Sequence, residues 1–137
     1  MERRDHLMHQ IDQLGRVLQQ LLAELTGAQG PAASVQDIEQ RLNDAIGNAM
    51  TDLDRDPQQV VQTLAHEPAL TPANADHLAA LLWGMADALE EAPSAPEGVK
   101  KYRERALSIL EHLNATDPNY SLERHAKVAA WKARITG

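Results

Sequence analysis

The stretch from Thr71 to Leu113, TPANADHLAALLWGMADALEEAPSAPEGVKKYRERALSILEHL, decides the fold class. Thr71 and Pro72 open a helix in which Leu78, Leu81, Leu82, Met85 and Leu89 recur at three- and four-residue steps, and it ends at Ala92 before Pro93. Pro96 starts the next helix, whose apolar line is Val99, Tyr102, Ala106, Ile109, Leu110 and Leu113. Only a few residues join the two, so they are expected to pack antiparallel as a helical hairpin with facing apolar lines. Nowhere does the chain show the sustained period-two alternation of a half-buried strand, and no sheet is expected.

The same punctuation extends in both directions. Upstream, TGAQGPAAS (Thr26–Ser34) stops a first helix that runs from about Arg4 to Leu25. Ser34 then caps a second helix, complemented by Asp37, with Val35, Ile38, Leu42, Ile46, Ala49 and Leu53 as its apolar line. Asp56 and Pro57 begin a short third helix that ends near His66. Downstream, TDPNYS (Thr116–Ser121) precedes a last helix reaching about Ile135. The expected fold is an all-α helical bundle of five to six helices. Residues 1–30 form an N-terminal amphipathic helix and linker and residues 31–137 a helical domain, with its hairpin at about 75–116 and a capping helix at 119–136. With no Phe in the chain, the core draws on Leu, Ile, Val and Ala, and helices should approach toward the short end of the normal range, about 8 Å.

Composition narrows the function classes. The chain has 137 residues, 43% hydrophobic and 24% charged, which is a globular balance. No run approaches the ~18 uninterrupted apolar residues of a membrane span, and the absence of Cys removes disulfides, thiol nucleophiles and thiolate metal sites. A cytoplasmic, membrane-free protein is expected. The net charge of −7 disfavours general nucleic-acid binding, which needs clustered Lys and Arg. The charge is unevenly placed: residues 31–97 hold 12 acidic against 2 basic side chains, and residues 98–137 hold 8 basic against 4 acidic.

The segment LLWGMADALEEAPSAPEGVKKYRERALSILEHL, Leu81–Leu113, resembles one tetratricopeptide helix pair. Trp83, Gly84, Met85 and Ala86 look like its first-helix pattern and Val99, Tyr102 and Ala106 like its second, although Asp87 stands where an aromatic is usual and the turn is longer. The chain as a whole is similar to a family of short uncharacterised bacterial all-helical proteins. An N-terminal helix carrying Arg3, Arg4, Asp5, Ile11, Gln13, Leu14, Gly15, Arg16 and Leu18 and the end from Tyr102 to Ile135 carry this likeness. The tetratricopeptide resemblance implies a module that binds peptides or proteins; the family brings no activity.

A search for chemistry yields no enzyme, cofactor or metal expectation. His6, His9 and Asp12 share a helical stripe, but an exposed polar face explains them, and no His-Glu-x-x-His or phosphate-cradling Gly-rich loop is present. Two surfaces remain. On the last helix, Arg124, Lys127, Trp131 and Arg134 recur at steps of three, four and three, a candidate face for an anionic ligand or single-stranded nucleic acid. Lys100, Lys101, Arg103 and Arg105 extend it, while the bland reading packs Trp131 into the core. On the first helix, Leu7, Ile11, Leu14, Leu18, Leu21 and Leu25 form a seam, with Gly15 alongside able to admit a close neighbour. The linker allows that seam to fold back or to pair with a second copy. The expectation is a non-enzymatic interaction module, self-associating as a homodimer through this seam and binding another protein or peptide.

Overall fold

The computed structural model describes residues 2–28, 30, 32–47, 50–52, 54, 56–91 and 96–136. They form six helices: α1 (Glu2–Thr26), α2 (Val35–Ile46), α3 (Pro57–His66), α4 (Pro72–Glu91), α5 (Pro96–Thr116) and α6 (Leu122–Thr136). No strand occurs among the described residues, and no helix is long and apolar enough to cross a membrane.

The helix starts follow from side chains that accept orphan amide protons. The Ser34 side chain accepts from the Asp37 N–H, Asp56 from Gln58, Thr71 from Asn74 and Ser121 from Arg124. At the end of α1, Gly27 takes φ 74°. Its N–H bonds the Glu24 carbonyl at 3.2 Å, and the Ala28 N–H bonds the Ala23 carbonyl at 3.0 Å. The Ala33 N–H also reaches Glu24 O, at 2.9 Å, and so turns the chain back along α1. α2 is shorter than its apolar line predicts. It stops at Ile46, where Gly47 takes φ 79° and its N–H closes on Asn43 O at 2.8 Å. Ala49 and Leu53 lie outside the described residues.

α4 is the centre of the bundle. Ala75, Leu78, Ala79, Leu81, Leu82, Trp83, Met85 and Ala86 are all buried, more than one stripe can account for, so other helices must cover several of its faces. α5 packs along it most extensively, as the hairpin expected, and α1 covers a second flank. α2 lies against α1 and α4, α3 against α5, and α6 against α5. One hydrophobic cluster includes residues from all six helices, so α1 contributes to the core it shares with the rest.

Two glycines set the α1–α4 spacing. A Cβ at Gly84 would lie 3.1 Å from Leu22 Cδ1 and 3.3 Å from Leu25 Cδ2, and one at Gly15 would lie 2.8 Å from Asn74 Oδ1. Asn74 is itself buried, and its amide donates to Ile11 O at 2.9 Å and Ala69 O at 2.8 Å. The close neighbour that Gly15 admits is therefore α4 of the same chain. On the opposite side, the Tyr102 hydroxyl donates to Glu39 Oε1 at 2.6 Å, and Arg105 donates to Met50 O and Asp52 O at 2.8 and 2.9 Å. These bonds hold α2 and the segment after it to α5.

Candidate binding site

The structure consumes the two surfaces that the sequence singles out. In the seam, Leu14, Leu18, Leu21 and Leu25 are 7%, 0%, 0% and 5% exposed, because α4 and α2 cover them. Leu7 and Ile11 are half-buried, and only Met8 beside them is well exposed. Self-association through the full seam would meet an occupied surface. Its leucines already have an intrachain partner, and a second copy would have to displace it.

On α6, Arg124 of the basic face is buried, Lys127 and Trp131 are half-buried and Arg134 is exposed. Arg124 is 5% exposed and paired: Nε and Nη2 donate to the two Asp76 oxygens at 2.9 and 2.7 Å, and Nη1 donates to Asp117 at 3.2 Å. The Trp131 ring stacks on Trp83 with centroids 4.4 Å apart and planes 4° from parallel. Above the other ring, Arg103 Cζ sits 5.3 Å from the Trp83 centroid. Arg103 bonds Asp87 and Glu90, and Arg134 approaches the same two acids at 3.9 and 3.6 Å. These guanidinium groups, Arg103 foremost, hold the Glu90 carboxyl below its ordinary pKa. Of the three cations on this face, Lys127 alone is without an ion pair among the described residues. The anticipated ligand face is thus a joint that fixes α6 to α4, because Asp76, Asp87 and Glu90 on α4 face these cations.

The extending cations are also engaged. Lys100 pairs with Glu104 at 3.9 Å and Lys101 with Asp54 at 3.8 Å, while Arg105 is buried in its carbonyl contacts. His6, His9 and Asp12 are exposed, and among the described residues no group of three or more His, Asp or Glu side chains converges to hold a metal.

Several clefts open on the described surface. A shallow furrow follows the outer face of α4, bordered by α1 and α6. His77 lines both of its halves and accepts from the Gln19 amide at 3.0 Å. The larger feature, a cleft of about 640 Å³, lies between α1, the end of α2 and the turn before α4. Leu14, Val17, Ala45, Ile46 and Ala69 supply its apolar lining, and Gln10, Gln13, Arg41, Asp44 and Glu67 its polar edge. Val17 and Ile46 are only partly buried although they pack against the core. Arg41 is committed to Glu24 at 2.7 Å and Asp37 at 3.6 Å, and its hydrogen bond holds the Glu24 carboxyl below its ordinary pKa.

Comparison adds no relative. No family model matches the chain, and no curated protein or solved structure matches it.

Of the cleft residues, Leu14 alone was among the site residues selected from sequence, and for a different role. Val17 lies off the leucine seam, and Ile46 reads as one more member of a longer apolar line. One signal was present: Asp44 stands in the last turn of a helix that has no basic residue there, where the dipole disfavours a carboxylate.

Proposed function

We propose that this chain is a non-enzymatic helical interaction module that binds a segment of another protein in the cleft between α1, α2 and the turn before α4. The observation that carries the reading is the cleft itself: Val17 and Ile46 stay accessible at an opening of about 640 Å³, although the chain completes its core elsewhere. Concave sites with apolar walls and a few polar groups are the usual form of a binding surface, and this volume lies within their normal range. The resemblance of Leu81–Leu113 to a tetratricopeptide pair supports an interaction module in general, although that pair contributes no residue to this cleft. A homodimer would have to use Leu7, Met8 and Ile11 at the more open end of α1. An anionic ligand on α6 would have Lys127 as its one unpaired cation among the four residues of that face.

The test is selection of a random peptide display library on the immobilised full-length chain, with each selected peptide re-measured against Val17→Asp and Ala45→Glu. Circular dichroism verifies that both variants fold; Ala45 is exposed, so its variant leaves the core untouched. Binding that both substitutions abolish supports the reading. Peptides indifferent to both, or no selected peptide at all, would overturn it.

A further inference from the structure

Resting on that reading, we infer that the occupant of the cleft is a cationic amphipathic helix of a partner protein, its apolar side seated on Val17 and Ile46 and its lysines or arginines facing Asp44 and Glu67. Two helix ends meet at this site. α2 ends at Ile46 and α3 at His66, and the carbonyl ends of helices carry partial negative charge. Each end also bears a carboxylate. Asp44 lies in the last turn of α2, which has no basic residue there, and Glu67 is the residue that terminates α3. Neither has an ion pair among the described residues.

The cations nearby do not neutralise them. Arg41, the one cation lining the cleft among the described residues, is bound by Glu24 and Asp37. His66, in the last turn of α3, points its Nδ1 at the Gln62 carbonyl, 2.7 Å away. Apart from the Ala69 N–H that Glu67 Oε1 accepts at 3.2 Å, the two carboxylates have no cationic partner among the described residues, and beside Val17 and Ile46 they match a ligand that is apolar on one side and positive at its margins. Such charge matching steers association and fixes register.

Helical form follows from the walls. The cleft is lined by Gln10, Gln13, Leu14 and Val17 on one helix, three to four residues apart, and on another by Arg41 with Asp44 and Ala45 three and four residues on, Ile46 closing the end of α2. Ridges at that spacing receive a third helix, whose anchors recur at the same steps.

The closing experiment uses the display selection with its winners sequenced, then synthesised and titrated by fluorescence anisotropy against the full-length chain, Asp44→Lys and Glu67→Gln. Selected peptides should be rich in Lys or Arg beside apolar residues at helical spacing. Asp44→Lys should weaken them about tenfold, the loss of one favourable charge contact worth ~1.4 kcal/mol. Added salt should weaken the parent complex and narrow that difference. Neutral or acidic peptides that require Val17 but ignore Asp44→Lys would overturn the cationic partner while leaving the interaction module standing. Peptides indifferent to Val17→Asp and Ala45→Glu, or none selected, would overturn both.

Discussion

Adding a methyl group at Gly15 would place a carbon 2.8 Å from Asn74 Oδ1, inside the contact distance of a side chain whose amide is already engaged twice. Two effects compete. Alanine in place of glycine favours the helix by ~1 kcal/mol, whereas crowding a packed site typically costs ~1–3 kcal/mol, and shifting Asn74 risks bonds worth ~1 kcal/mol each. Crowding should win, so Gly15→Ala is expected to lower stability by about 1 kcal/mol in urea unfolding. In an Asn74→Ala background the same change should become neutral or stabilising, since only the propensity gain remains. Arg124 makes a parallel case for charge. Arg124→Met removes the partner of Asp117, which is 8% exposed, and of Asp76, which is 34% exposed. Breaking a buried pair costs ~3–5 kcal/mol, and the partial exposure of Asp76 brings the expected loss toward 2–3 kcal/mol, about half of which Asp117→Asn in addition should restore.

The helices were legible because their signals are local. Ser34, Asp56, Thr71 and Ser121 accept from amides two or three residues ahead, so cap and helix are read from one short window. What covers a helix is a separate matter. The leucine steps of α1 define an apolar face, but they are the same whether α4 of this chain or α1 of another lies across it. The basic spacing on α6 was equally open, since apart from Asp117 the acids that engage Arg124 and Arg134 lie on α4, with Asp76 48 residues from Arg124. The cleft escaped notice because it depends on where α2 stops. An apolar line continuing to Ala49 and Leu53 concealed an end at Gly47. The consequence for α1 is testable: Leu14→Glu with Leu18→Glu should unfold the chain, seen as lost helical circular dichroism, because two carboxylates would enter the shared core. A folded monomer would instead return the seam to the surface.

Across the whole molecule, charge is arranged at some expense to the fold. Asp44 opposes the dipole of its own helix, so Asp44→Lys should raise stability by ~0.3–1 kcal/mol in thermal unfolding even as it disables the proposed site. Stability and binding moving in opposite directions would distinguish a functional carboxylate from an indifferent one. The stacked indoles have a separate consequence. Trp83 and Trp131 are the only two tryptophans in the chain, and both stand at the joint between α4 and α6. The intrinsic emission of this protein therefore watches one hinge of the bundle and is blind to α1, α2 and α3. Emission and far-ultraviolet dichroism recorded during the same denaturant titration should trace one curve if the six helices come apart together. An optical signal that changes first would mark α6 as a flap that opens while the remainder holds.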